Sequence, residues 1–386
     1  MRVAVDGRAL TGRFTGDRTY WRNLLRTLPG LDPNIEYLVY TRMPIPEGEL
    51  PDMPNIRQRM VEAGNDRIWT FWALPAALRQ DRPALVHVQY TAPLRAFCPC
   101  PIVTTVHDIS FRLFPEWFPW KHRLLMNLTV PASMQRAARV ITDSESSRMD
   151  MLATYRLPPE KLVATPLGLS EGFPIAASGA DRKMVQAAAQ ALVQTKFGIS
   201  APFFLTVSVF QPRKNLPMLA EAFGIAKRKQ GLPHRLVMVG KMGWGTEQTA
   251  LRTAAARGSA EAVGDLVFPG YVEDADLPML YQACDAFAHP ALYEGFGIPP
   301  LEAMACAAPT LVSDAPALPE VVGDAAMVIP ARDPLAWAEA LYRVGTDQAL
   351  QDSLAECGPK RAAGFSWEKT ARQTLEVYRQ AVQVGR

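Results

Sequence analysis

At 386 residues the chain is too long for one ordinary core and suits two domains. Hydrophobic residues at 48% and charged residues at 20% exclude a disordered polypeptide, and no apolar run reaches the roughly 18 residues a membrane-spanning helix needs. The net charge of +3 is unevenly spread, with 21 Lys and Arg against 17 Asp and Glu in residues 1–172 and 20 against 21 in the remainder. Nucleic acid is not an expected partner at such a balance. A modestly basic N-terminal half suits an anionic membrane surface, a phosphate-bearing acceptor or plain solvation.

The first residues, Met1-Arg-Val-Ala-Val-Asp-Gly7, read as a buried strand entering a turn and lack the apolar core of a signal peptide. Apolar runs at Val3–Val5, Tyr37–Tyr40, Leu85–Val88, Ile102–Val106 and Val140–Ile141 predict strands. Helical spacing at Trp21–Leu28, Trp69–Leu78 and Leu124–Arg136 lies between them. Such alternation predicts parallel strands joined by crossover helices. A cluster of Gly and Pro at Gly172–Pro174 marks a boundary, followed by a helix at Met184–Lys196. The pattern then restarts, with strands at Phe203–Val209, Arg235–Val239, Leu266–Phe268, Ala286–Ala288, Thr310–Val312 and Ala326–Ile329, and helices including Leu216–Gln230 and Leu277–Cys284. The expected division is 1–172 and 173–366, two doubly wound α/β domains, with a last helix at 367–386 crossing back onto the first. Cysteines at 98, 100, 284, 306 and 357 are odd in number and lack zinc or thioredoxin spacing, so reduced thiols in the cytoplasm are expected.

In open parallel sheets, ligands bind beyond the carboxyl ends of strands. The predicted strand around Phe287 ends in His289-Pro-Ala-Leu-Tyr-Glu294-Gly-Phe-Gly-Ile-Pro-Pro-Leu-Glu302. Gly295 and Gly297 leave the backbone free to turn close to a ligand, and Pro299 and Pro300 suit the first turn of a helix. A helix N-terminus behind a glycine loop attracts a diphosphate, while two carboxylates beside it can accept hydrogen bonds from sugar hydroxyls. A tight turn with two solvated glutamates is the plainer alternative. Phe210-Gln-Pro-Arg-Lys-Asn215 follows another strand, and Arg213 and Lys214 there can neutralise a leaving diphosphate or simply face solvent. Val103-Thr-Thr-Val-His107-Asp108 ends a third strand in a histidine. Phe111–Arg123 is dense in aromatics and cations, which fits a membrane interface, an apolar acceptor groove or burial beneath a loop.

Tyr293-Glu-Gly-Phe-Gly-Ile-Pro-Pro-Leu-Glu-Ala-Met-Ala305, followed by Pro309 and Leu318-Pro-Glu-Val-Val-Gly-Asp-Ala-Ala326, resembles the signature of retaining glycosyltransferases of family 4. Among them it looks most like bacterial mannosyltransferases that build surface polysaccharides. The resemblance implies a GT-B fold, two Rossmann-like domains with a central cleft. It implies that Glu294 contacts the donor sugar and Glu302 the ribose. Backbone N–H groups at Phe296, Gly297 and Ile298 would meet sugar and diphosphate, Gly295 would also lie on the donor, and Lys214 and Arg213 would meet the phosphates. Tyr271–Leu277, including Val272, resembles the base-binding loop.

By the same resemblance His107 faces the donor sugar, while Asp108 orients His107 or faces the acceptor. Thr15-Gly16-Asp17-Arg18 occupies the place of the family's glycine-rich loop, so Gly16 is assigned to the donor. Arg18 stands where a second glycine is usual, either filling space or serving the acceptor. Ser208, Gln211 and Ala307 are further departures, the last where a glycine is usual.

The implied reaction moves a sugar from a nucleoside diphosphate to a hydroxyl of a saccharide or lipid-linked saccharide, with retention. GDP-mannose is favoured and a UDP-sugar is the runner-up. Asp274-Ala-Asp276 is the one Asp-X-Asp triplet and lies on the base-binding turn, so no metal or other cofactor is expected. A non-catalytic sugar-nucleotide-binding partner of another transferase is the alternative class. A dinucleotide oxidoreductase is disfavoured because no first strand runs into Gly-X-Gly-X-X-Gly.

Overall fold

A computed structural model of the chain describes residues 1–12, 16–94, 97–176, 181–230, 232–243 and 248–384. Two compact units emerge, Met1–Ser170 together with Ser366–Arg386, and Glu171–Phe365.

The first unit is built on β1 (Arg2–Asp6), β2 (Glu36–Thr41), β3 (Ile56–Met60), β4 (Leu85–Gln89), β5 (Ile102–Thr105), β6 (Arg139–Thr142) and β7 (Leu162–Ala164). They form a 7-stranded sheet in the order β3-β2-β1-β4-β5-β6-β7. Every pairing is parallel, in register from Val3 opposite Tyr37 and Leu85 to Val103 opposite Arg139. Parallel strands covered on both faces favour apolar residues, and β1, β2, β4 and β5 are buried along nearly their whole length, with His87, Thr104 and Thr105 as the polar exceptions in β4 and β5. The two edge strands are those the apolar pattern does not predict. β3 reads Ile-Arg-Gln-Arg-Met and is mostly exposed, and β7 has only 3 residues.

Helix Trp367–Val384 closes this unit. Its buried stripe, Trp367, Thr370, Ala371, Thr374, Tyr378 and Ala381, recurs every three or four residues and lies against helix Gly16–Leu31. Gly168 permits the approach, since a Cβ there would stand 2.2 Å from the Trp367 backbone nitrogen. Tyr378 Oη is 2.7 Å from His87 Nδ1, His87 Nε2 is 2.7 Å from Thr105 Oγ1, and Thr105 Oγ1 is 3.0 Å from Tyr20 Oη. Burial, with the nearby His107 charge, pushes the imidazole of His87 down to about 3, so it is neutral with one nitrogen donating and the other accepting.

The second unit contains β8 (Phe203–Val207), β9 (Arg235–Val239), β10 (Leu266–Gly270), β11 (Ala286–His289), β12 (Thr310–Ser313) and β13 (Met327–Ile329). Its 6-stranded parallel sheet runs β10-β9-β8-β11-β12-β13. The core joins Phe204, Phe223, Leu236, Leu311, Trp337 and Leu341. Strand order reverses between β8 and β11 here, and between β1 and β4 in the first unit. These reversals open crevices at the carboxyl ends of the strands.

Candidate functional site

The segments leaving β8 and β11 are bound to each other at such a reversal. After β8, Gln211 leads into a single turn, Pro212–Lys214, ended by Asn215 in the left-handed region at φ 54°. Asn215 Nδ2 donates to Pro290 O at 3.2 Å and to Ala331 O at 2.7 Å, and Leu292 N donates to Arg213 O at 2.8 Å. Gly297 has φ 110° and caps helix Ile298–Ala305; a Cβ there would meet Leu318 Cδ2 at 2.7 Å. Pro299 and Pro300 occupy its first turn, where missing N–H groups cost no helical hydrogen bond.

This frame brings Arg213, Lys214 and Glu294 together. Glu294 Oε2 accepts from Arg213 Nη1 at 3.0 Å, while Oε1 accepts from Lys214 Nζ and from His289 Nε2, the latter at 2.9 Å. Glu294, Lys214 and His289 are all buried. Burial alone would raise the Glu294 carboxyl, but Lys214, Arg213 and the His289 hydrogen bond outweigh it and hold the carboxyl well below the usual carboxylate range. Burial, aided by the Lys214 charge, lowers His289 despite its contact with Glu294. The group is therefore two cations, one carboxylate and a neutral imidazole donating through Nε2. His289, which begins the segment, has no assigned role in the sequence. Its position at the end of a strand on the crevice is the signal that would have found it.

Glu302 is the fifth residue of its helix, buried, and its Oε2 accepts from Tyr281 Oη at 3.3 Å. Gly295, Phe296 and Gly297 are buried and Ile298 partly so, with the Phe296 ring edge-on to Phe365 at 5.8 Å. Val272 is buried beyond β10, beside a Tyr271 ring that carries the Lys241 ammonium 4.0 Å from its centroid. Asp276 of the Asp-Ala-Asp triplet accepts from Lys196 Nζ at 2.6 Å. Among the described residues, no group of three or more His, Cys, Asp or Glu is arranged to hold a metal ion.

In the first unit His107 follows β5. Its Nδ1 lies 2.7 Å from Asp143 Oδ2, and its Nε2 lies 2.9 Å from Gln89 Nε2 and 3.6 Å from Asp17 Oδ1. Burial would lower His107, but Asp143, then Asp17 and Asp108, raise it to about 9. The Asp143 carboxyl is raised by burial against the opposing pull of His107. Asp108, the neighbour that sequence suggests as the orienting carboxylate, instead uses Oδ1 to accept from Ser110 N at 2.8 Å and Ser110 Oγ at 2.6 Å. Asp143 is 36 residues away in the chain and arrives because β6 pairs with β5. Gly16 starts its helix in an exposed position. Arg18 is buried, with Nη2 3.2 Å from Glu49 Oε1, and Arg22 lies 3.7 Å from the same oxygen. Thr15, of the same loop, lies outside the described residues.

The aromatic segment divides. Phe111 and Trp117 are buried, and Phe114 stacks on Trp117 at 4.2 Å. Trp120, Leu124 and Leu128 stand 63%, 53% and 65% exposed on one side of helix Trp120–Arg136. No helix among the described residues is long and apolar enough to cross a membrane.

Residues 193–361 match the family described as "Glycosyl transferases group 1", and residues 15–171 match "Glycosyltransferase Family 4". The O-antigen chain mannosyltransferase B of Escherichia coli is 33% identical over 279 residues, 72% of this chain and 70% of that protein. The serotype-specific mannosyltransferase WbdA, also of Escherichia coli, is 28% identical over 252 residues, 65% of this chain and only 30% of the relative. Among solved structures, Anabaena Alr3699/HepE in complex with UDP and glucose superposes with a TM-score of 0.72 at 19% identity, covering 98% of this chain and 99% of that one.

Proposed function

The chain belongs to glycosyltransferase family 4 and has its GT-B fold, and from that premise we propose that it transfers mannose from GDP-mannose, with retention, to a saccharide or lipid-linked saccharide in surface polysaccharide synthesis. The observation that carries this reading is the meeting of Lys214, Arg213 and Glu294 at the β8/β11 reversal, beside the N-terminus of helix Ile298–Ala305. A diphosphate there gains two cations and the positive end of a helix.

In the reaction, the bond from the anomeric carbon to the diphosphate oxygen breaks as the acceptor hydroxyl attacks from the same face. The hydroxyl proton passes to the departing phosphate oxygen. Lys214 and Arg213 oppose the growing phosphate charge, Glu294 and His107 position the sugar, and Glu302 holds the ribose. Two side-chain cations replace the divalent ion that a metal-dependent transferase uses on its diphosphate, so the proposed reaction runs without metal.

The mannosyl assignment draws on the two Escherichia coli mannosyltransferases. A UDP-sugar donor is the second reading, favoured by likeness to a protein solved with UDP and glucose. The exposed face of Trp120, Leu124 and Leu128, with Lys121 between them, supports peripheral contact with an anionic bilayer on its cytoplasmic side, where a lipid-linked acceptor would be met. A thermal-shift series with GDP, UDP, ADP and dTDP tests the donor base. GDP is expected to stabilise the chain most, and stabilisation by UDP alone would overturn the GDP assignment.

A further inference from the structure

The groups assigned to the donor are bound to one another. Glu294 engages both Lys214 and Arg213, and these are the same two cations that the proposed function gives to the diphosphate. Glu294 is 6% exposed and Lys214 is 8% exposed, so both are largely shielded from water. A buried charge in that setting needs a counter-charge, and losing one without replacement is costly. His289 Nε2, on the same Oε1 as Lys214, holds the carboxylate from the side of β11. The backbone bond from Leu292 N to Arg213 O, at 2.8 Å, keeps the two segments in step.

We infer that Glu294 is an internal counter-anion, which occupies Lys214 and Arg213 until the donor's diphosphate takes them over, so that donor binding is an exchange of anions. This rests on the reading that the two cations receive the diphosphate. It gives Glu294 two successive partners. Before binding it neutralises the cations. Once the diphosphate draws the two cations toward itself, they stay near enough to share their charge with the carboxylate, which remains hydrogen-bonded to His289 and turns its freed accepting capacity to a sugar hydroxyl. The exchange also favours diphosphates, because a ligand bringing little negative charge cannot compensate Lys214 and Arg213 for losing Glu294.

The test is calorimetric titration of inorganic pyrophosphate, GDP and UDP into the wild-type chain, Glu294→Gln and Lys214→Ala. Glutamine keeps the shape and an acceptor for His289 but removes the competing charge. Glu294→Gln is expected to bind pyrophosphate at least about fivefold tighter than wild type, the lower end of ordinary coupling between sites, and Lys214→Ala to bind it more weakly. Unchanged or weaker binding by Glu294→Gln, with Lys214→Ala weakened, would overturn the counter-anion role and leave the diphosphate reading standing. Unchanged binding by Lys214→Ala would remove the diphosphate reading and this inference with it. Should Glu294→Gln fail to fold, Lys214→Ala/Glu294→Gln against Lys214→Ala reads the same competition through Arg213. The double variant must then bind pyrophosphate more tightly, and equal affinity overturns the inference.

Discussion

Replacing Asp143 by asparagine should move His107 across neutral pH. In the wild type, burial works against the imidazolium, and the Asp143 carboxylate at 2.7 Å does most to restore it, with Asp17 and Asp108 adding less. The resulting value of about 9 lies above the ordinary value of 6.5. At about 1.4 kcal/mol per unit, the difference corresponds to about 3 kcal/mol of stability tied to this one proton. Because the folded value is the higher one, that contribution is complete below the unfolded histidine value and disappears as pH rises through about 9. Asp143→Asn removes the largest favourable charge and leaves burial, so His107 should titrate below its ordinary value. NMR titration of the His107 ring carbons reads the change directly. Urea unfolding at pH 6 and pH 10 should show the wild type losing up to about 3 kcal/mol, with the loss largely absent from the variant. A His107 that still titrates near 9 in Asp143→Asn would refute this electrostatic account.

Ala307 lies at φ 59° just past helix Ile298–Ala305, where its N–H donates to Met304 O at 3.1 Å and the Ala308 N–H to Ala303 O at 3.0 Å. This is a left-handed helix stop that favours glycine, so Ala307→Gly should stabilise the chain by roughly 0.5 kcal/mol in denaturant unfolding. Gly168→Ala places a methyl against the Trp367 backbone, and should cost about 2 kcal/mol or more and expose helix Trp367–Val384 to hydrogen exchange. Leu124→Glu/Leu128→Glu changes only exposed positions. It should leave the melting temperature within a few degrees of wild type while abolishing sedimentation with vesicles of anionic phospholipid. Retained sedimentation would remove that face from any membrane contact.

The central strands are legible in the sequence because a strand buried on both faces must be apolar throughout, as Val3–Val5 and Phe203–Leu205 are. Edge strands carry no such demand. Arg57, Gln58 and Arg59 look like a loop until their backbone is paired with β2. Helix Glu145–Thr154 is similarly faint, since it buries only Ser147 and Met151 and depends on the Ser144 cap.

The site follows the same division. Glu294, Glu302, Arg213 and Lys214 are visible as motifs because local spacing determines their turns. The partners of His107 are not, because Gln89 and Asp143 reach it only through the pairing of β4, β5 and β6. Asp108 illustrates the limit of proximity in sequence: its carboxylate is two residues from Ser110 and caps that turn instead. Arg18 has a similar explanation, as a cation satisfied by Glu49 from a distant segment.

The most direct test of the proposed function is release of GDP from GDP-mannose by the purified chain, in parallel with UDP release from UDP-glucose, while NMR follows the anomer of the sugar set free or transferred. The expected result is GDP release with the α-configuration kept, slowed about a hundredfold or more in Lys214→Ala, as loss of a charge-stabilising group predicts. Nucleotide release from neither donor, an inverted product, or equal rates from wild type and Lys214→Ala would contradict it.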